Sequence, residues 1–102
     1  MNTVYAGTFD PVTSGHLDII ERASKMYDIL YVTIFVNPQK TTLFSLEERI
    51  ELLKEVTSCF DNVRVDFSQD LAVSYAKKMN APILVRGLRA TMDFEYELQL
   101  AF

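Results

Sequence analysis

Residues 7–16 read Gly-Thr-Phe-Asp-Pro-Val-Thr-Ser-Gly-His, and the rest of the chain is arranged around this stretch. An apolar run at residues 4–6 leads into it, and apolar residues at helical spacing follow at Leu17, Ile20, Ala23 and Tyr27. A strand that ends in a glycine-containing loop and continues as a helix commonly binds phosphate, because loop N–H groups and the helix N-terminus favour anions. The pattern therefore predicts a nucleotide phosphate site, with His16 as an additional hydrogen-bond donor.

Length and composition indicate one globular α/β-sized domain over residues 1–102. The net charge of −4 argues against nucleic-acid binding, which depends on many Lys and Arg contacts, so any phosphate site rests on a few local cations. The longest apolar run, residues 29–36, is of strand length, and no export signal precedes it, so no membrane association is expected.

Cysteine usage points to a reducing, cytoplasmic setting. Cys59 is the single cysteine, which excludes an internal disulfide. Its apolar neighbours Val56, Phe60 and Val63 predict a buried or half-buried side chain without a chemical role.

Strands and helices alternate along the chain. Strands are predicted at residues 3–6, 29–36, 63–68 and 83–85, the third as an edge strand because its apolar and polar residues alternate. Helices are predicted after each strand: from residues 13–15 to 26, from a capping box at Ser45 and Glu48, over residues 71–79, and from Met92 to the end.

This alternation predicts a doubly wound parallel sheet of Rossmann-like type. Such sheets bind ligands outside the carboxyl ends of their strands, at the switch point. Three groups of candidate residues fall there: residues 7–16 after strand one, Lys40 after strand two, and Arg86 and Arg89 after strand four. Guanidinium groups match phosphate oxygens well.

Each candidate also has an ordinary structural explanation. Asp10 or Thr13 can simply cap a helix, and His16 can be a polar surface residue. Lys40 can be a solvated loop lysine, and the two arginines can answer nearby surface acids.

Metal binding by the protein itself is not predicted. No His, Cys, Asp or Glu cluster has metal-ligand spacing and there is no Walker-type loop, so a divalent ion is expected to arrive with the nucleotide. The last predicted helix has no stop signal, and the chain is expected to be incomplete at its C-terminus.

Several motifs together resemble those of the bacterial phosphopantetheine adenylyltransferases. They are Gly-Thr-Phe-Asp-Pro and Thr-Ser-Gly-His within residues 7–16, the loop ending at Lys40, Phe-Ser-Leu-Glu-Glu-Arg at 44–49, Arg-Gly-Leu-Arg-Ala at 86–90 and Asp-Phe-Glu-Tyr-Glu at 93–97. The resemblance spans the whole chain. It implies a cytoplasmic enzyme of coenzyme A biosynthesis that transfers the adenylyl group of ATP to 4′-phosphopantetheine with Mg²⁺, releasing pyrophosphate. It also implies a homohexamer of two trimers.

The resemblance further implies roles for individual residues. On the nucleotide side these are Thr8, Phe9, His16, Gly87, Leu88, Arg89 and Glu97, with His16 stabilising the transition state. On the phosphopantetheine side they are Thr8, Lys40, Ala72 and Arg86.

Three departures from the family pattern leave alternatives open. A downstream serine-rich nucleotide motif is absent, Thr41 and Thr42 stand where lysine and proline are common, and Ala72 replaces a larger side chain. One alternative is a non-catalytic nucleotide-binding or assembly module. The other is a related nucleotidylyltransferase that uses CTP with glycerol phosphate, or a mononucleotide acceptor.

Overall fold

The computed structural model describes residues 1–36, 41–88 and 94–99, with side chains over 1–36 and 41–85. Strands and helices alternate in these residues until a fifth strand follows the fourth. The elements are β1 Thr3–Gly7, α1 Ser14–Met26, β2 Leu30–Phe35, α2 Leu46–Val56, β3 Val63–Ser68, α3 Ala72–Lys78, β4 Ile83–Leu88 and β5 Phe94–Gln99.

The sheet has the strand order β3-β2-β1-β4-β5. The first four strands run parallel to one another, which confirms the predicted doubly wound α/β architecture. The chain builds outward from β1 through β2 to β3 at the edge, as the alternation in β3 predicted, and then crosses to β4 on the other side. The switch point therefore lies directly after β1, at the residue 8–13 connection, named here the β1–α1 loop.

The two faces of the sheet have separate apolar cores. One core lies under α1 and α2 and includes Tyr5, Ile20, Ile34 and Leu53. The other lies under α3 and consists of Val4, Tyr75, Ala76, Ala81 and Leu84. Successive residues of a strand point to opposite faces, so β1 contributes Val4 to one core and Tyr5 to the other. The nearly continuous apolar sequence of β2 predicted that helices would cover both faces of this strand, and this is confirmed.

The predicted C-terminal helix is wrong. Residues Phe94–Gln99 form β5, which pairs antiparallel with β4. The sequence of this segment alternates aromatic or aliphatic residues with polar ones, a period of two that suits a strand better than a helix. Pairing with β5 also satisfies the backbone groups along the outer edge of β4. Because of this pairing β4 extends to Leu88, three residues beyond its predicted end at residue 85.

The predicted burial of Cys59 is also wrong, because its side chain is exposed. Helix α2 ends at Val56, and residues 57–59 form a turn in which the Phe60 N–H donates to the Thr57 carbonyl. The turn breaks the apolar periodicity that its neighbours suggested. No helix within the described ranges is long and apolar enough to cross a membrane.

Candidate functional site

The carboxyl edge of the parallel strands brings together segments that are far apart in sequence. Gly7 at the end of β1 is level with Ile34 of β2, which is level with Phe67 of β3. On the other side, Ala6 is level with Arg86 of β4. The β1–α1 loop, the segment entering α2, the start of α3 and the end of β4 therefore lie at one edge, as predicted for residues 7–16 and Arg86.

The β1–α1 loop is held by the ring of Phe9, whose side chain is buried. The ring stands perpendicular to Tyr5 at a centroid distance of 5.2 Å and packs against His16 at 4.9 Å. Phe9 has φ 49°, in the left-handed region that bulky residues rarely occupy. A Cβ at Gly7 would stand 3.0 Å from the ring's Cε2 and Cζ atoms. Glycine at position 7 therefore avoids a tight contact with the ring, and the burial of that ring leaves only the Phe9 backbone open to a ligand.

Thr13 and His16 form a reciprocal cap at the start of α1. The Thr13 hydroxyl accepts from the His16 N–H at 3.4 Å, and the Thr13 N–H donates to His16 Nδ1 at 2.9 Å. Histidine here takes the place that Glu or Gln holds in the usual capping box. Because Nδ1 accepts a backbone N–H, the proton of the neutral ring lies on Nε2, which is then a hydrogen-bond donor.

The electrostatics of the α1 N-terminus favour an anion. The first turn of α1 contains no acidic side chain, so the partial positive charge of the helix end is not neutralised there. The half-buried His16 ring lies in that turn with its Nε2 donor. The structural explanation for Thr13, a helix cap, is correct, and the same cap orients the histidine.

Asp10 does not cap α1, contrary to one explanation considered from sequence. Its two carboxylate oxygens accept the N–H groups of Leu43, at 2.6 Å, and Phe44, at 2.8 Å. These residues lie just before Ser45, whose hydroxyl and partner Glu48 form the predicted capping box of α2. Asp10 thus joins the β1–α1 loop to the segment that enters α2.

Sequence reasoning missed Arg49, which is only 5% exposed. Its Nη1 donates to the Thr8 carbonyl at 3.2 Å, and its Nε donates to the Ser45 carbonyl at 3.4 Å. Among the residues with described side chains, no carboxylate forms an ion pair with it. The available signal was its position on the apolar stripe of α2, between Leu46 and Leu53 at helical spacing.

Ala72, predicted on the phosphopantetheine side, is the first residue of α3 and is half-buried. One turn later the Tyr75 hydroxyl donates to Asp66 of β3 at 2.7 Å, and its ring meets Phe35 edge-on at 5.5 Å. Burial raises the pKa of the Tyr75 phenol well above its usual range, and the Asp66 carboxylate adds to the rise. These contacts fix α3 on the sheet and place Ala72 at the carboxyl edge.

The remaining predicted residues are described only in part. Lys40 and Arg89 lie outside the described residues. The Arg86 backbone pairs with Ala6 of β1, and the Gly87 and Leu88 backbones continue β4 in pairing with β5. Glu97 lies in β5 opposite Val85, and not on a helix as predicted. The roles of these side chains stay predictions.

No group of three or more His, Cys, Asp or Glu side chains able to hold a metal ion occurs where side chains are described.

A sheet of this order, parallel in its first four strands and with its switch point at the loop before a Thr-Ser-Gly-His helix start, defines a Rossmann-like α/β domain. The family model that matches is described as cytidylyltransferase-like and covers residues 4–102, and the chain belongs to this family.

Within that family the chain is similar to proteins named phosphopantetheine adenylyltransferase. It is 55% identical over 98 residues to the one from Caldanaerobacter subterraneus subsp. tengcongensis and 51% identical over 98 residues to the one from Clostridium novyi. Each alignment covers 96% of this chain and 61% of the relative. The resemblance identified from the motifs is therefore confirmed, and the chain spans less than two thirds of the length of these relatives.

Proposed function

We propose that this chain carries the catalytic edge of a phosphopantetheine adenylyltransferase, which joins the adenylyl group of ATP to 4′-phosphopantetheine and releases pyrophosphate. The observation that carries the proposal is the Thr13–His16 cap, which sets a histidine Nε2 donor in the first turn of α1. The relatives' names supply the substrates.

The proposed reaction is a direct in-line displacement. An oxygen of the acceptor phosphate forms a bond to the α-phosphorus of ATP as the bond from that phosphorus to the bridging oxygen breaks, and pyrophosphate leaves with the electron pair. The acceptor phosphate is already an anion near neutral pH, so the step needs no general base and no covalent enzyme intermediate. Catalysis then depends on alignment and on neutralising the charge of the transferring group.

Separate groups of residues are proposed to bind the nucleotide and the acceptor. The N-terminus of α1 and the Nε2 donor of His16 stabilise negative charge on the α-phosphoryl group, with backbone N–H groups near Thr8 and Phe9 alongside. Arg89, Gly87, Leu88 and Glu97 are proposed for the rest of the nucleotide. Lys40, Arg86, Thr8 and the start of α3 at Ala72 are proposed for the acceptor. Mg²⁺ enters as part of the Mg–ATP substrate.

The test is release of pyrophosphate from ATP, Mg²⁺ and phosphopantetheine, compared between the chain and its His16→Ala and His16→Gln variants. Removing one donor to a developing charge typically lowers kcat by about 10²–10³-fold, and His16→Ala is expected to show a loss of that order. His16→Gln keeps a side-chain N–H donor and is expected to retain more activity. Far-ultraviolet circular dichroism checks that both variants stay folded.

Two results would count against the proposal. If the wild-type chain releases pyrophosphate no faster than His16→Ala and yet binds ATP tightly in calorimetry, the result favours the non-catalytic nucleotide-binding module. A preference for CTP over ATP in competition favours a nucleotidylyltransferase with another acceptor.

A cytoplasmic location and a homohexamer are proposed from the family resemblance alone. Light scattering after size exclusion tests the assembly: a hexamer has six times the 11.7 kDa mass of one chain.

A further inference from the structure

Two contacts of opposite direction join the β1–α1 loop to the segment 43–49. The Asp10 carboxylate accepts both the Leu43 and the Phe44 N–H, with one oxygen for each. In return, Arg49 of α2 donates from Nη1 to the Thr8 carbonyl. Each segment therefore supplies a charged side chain that binds the other segment's backbone, across 33 to 41 residues of sequence.

The contacts are of a strong kind. Hydrogen bonds with one ionised partner are shorter and about twice as strong as neutral ones, and the 2.6 and 2.8 Å distances at Asp10 fit that class. The Arg49 side chain is almost wholly buried, so water competes little for its donors. A single carboxylate that spans two successive N–H groups also restrains the orientation of that backbone.

The Asp10 and Arg49 contacts, together called the clamp, bracket the residue of the loop that has a positive φ. Thr8 and Asp10 flank Phe9, whose φ of 49° is unfavourable for a bulky residue. Such conformations are unfavourable and persist only where the surroundings hold them. Three features hold Phe9 in this conformation. Its own ring is buried, Arg49 binds the carbonyl of the preceding Thr8, and the backbone of residues 43–44 binds the carboxylate of the following Asp10.

We infer that Asp10 is a positioning residue that holds the segment proposed to bind the acceptor in a fixed position relative to the proposed nucleotide phosphate site. This inference rests on the proposed function. The β1–α1 loop is the proposed nucleotide phosphate site, and Leu43 follows the proposed acceptor residue Lys40 by three positions in the sequence. In-line transfer needs the reacting atoms about 3–3.5 Å apart, so a fixed relation between these two segments aligns the two anions.

The first arm of the test needs no ligand. Amide hydrogen exchange of the whole chain is followed by NMR in the wild type, Asp10→Asn, Asp10→Ala and the control Asp61→Ala. Asp61 is exposed, and its side chain makes no hydrogen bond within the described part of the chain. Asp10→Ala is expected to speed exchange at Leu43 and Phe44 at least about tenfold more than at core amides such as Val32, with Asp10→Asn between, since one acceptor oxygen remains.

The second arm measures pyrophosphate release with each substrate varied in turn. Asp10→Ala is expected to raise the KM for phosphopantetheine about tenfold and the KM for ATP less than about twofold, with partial rescue by Asp10→Asn and no change for Asp61→Ala. A uniform rise in exchange at all amides, or equal rises in both KM values, overturns the inference. Absence of turnover in the wild type refutes the proposed function instead, and the exchange arm then still decides whether the clamp exists.

Discussion

Replacing Gly7 by Ala tests how closely the Phe9 ring and the end of β1 are packed. The new methyl carbon would lie 3.0 Å from two ring carbons, Cε2 and Cζ, and 3.4 Å from Cδ2. Ordinary carbon–carbon contacts lie near 3.5–4.0 Å, so the ring must move away by a few tenths of an ångström. The retreat is opposed because the ring is buried and packed against both Tyr5 and His16.

The expected cost is that of overpacking a core. Extra methylene-sized groups in well-packed cores typically cost about 1–3 kcal/mol. Gly7 does not have a positive φ, so the backbone itself adds no strain when alanine is placed there. For a chain of this size each kcal/mol lowers Tm by about 4–8 °C, and Gly7→Ala is expected to lower it by roughly 5–20 °C.

A double-mutant cycle identifies the cause of the loss. Thermal unfolding is measured for Gly7→Ala, Phe9→Leu and the double variant, because leucine removes the ring carbons that the methyl group meets. The substitution at Gly7 is expected to cost at least about 0.5–1 kcal/mol less when Phe9 is absent. An additive cycle, or a Gly7→Ala protein within 0.5 kcal/mol of the wild type, would refute the steric reasoning.

The effects of three further substitutions on stability are predicted from individual contacts. Arg49→Ala removes a buried donor to the Thr8 carbonyl along with its packed stem, and urea unfolding is expected to show a loss of about 2 kcal/mol; a change below 0.5 kcal/mol would mean that the buried contact is not stabilising. Ser45→Ala breaks the α2 capping box and is expected to cost about 1 kcal/mol in the same assay, whereas an unchanged midpoint would contradict the cap's contribution. Tyr75→Phe is expected to alter alkaline unfolding: the raised pKa means that the folded state keeps the phenol proton above pH about 10 while the unfolded state loses it, so stability falls as pH rises beyond that point. The variant is expected to lose less stability than the wild type between pH 10 and 11.5, and parallel curves for the two proteins would exclude this contribution.

The candidate site combines structural and chemical roles in the same residues. His16 completes a helix cap through Nδ1, and that contact is what leaves the proton of the neutral ring on Nε2. An ordinary capping box with Glu or Gln at this position would place an acidic or neutral group in the first turn of α1. The structural explanation of the Thr-Ser-Gly-His element and its catalytic one are therefore compatible.

The sequence alone was sufficient for the parallel sheet and for the location of its binding edge. The apolar run of β2, the capping box at Ser45 and the regular alternation of elements are local patterns, and right-handed crossovers leave few ways to assemble them. The motifs likewise indicated the family, since they preserve residue type and spacing. These features depend on neighbours within one element or one turn, which is why a linear reading recovers them.

Only the tertiary structure decided how the loop after β1 is held. Asp10 reads equally well as a helix cap, and the position of Arg49 on the apolar stripe of α2 gives no indication of its bond to the Thr8 carbonyl, until residues 33 and 41 positions away are brought beside them. The Phe9 ring turns inward because the left-handed backbone and the bare Cα of Gly7 permit it. The period-two pattern of Phe94–Gln99 suits a strand, but only the tertiary structure shows that its partner is the outer edge of β4 and that the pairing is antiparallel. The Asp10 and Arg49 contacts and the β4–β5 pairing join distant parts of the chain, and they add to the local Gly7–Phe9 and Thr13–His16 contacts in shaping residues 7–16.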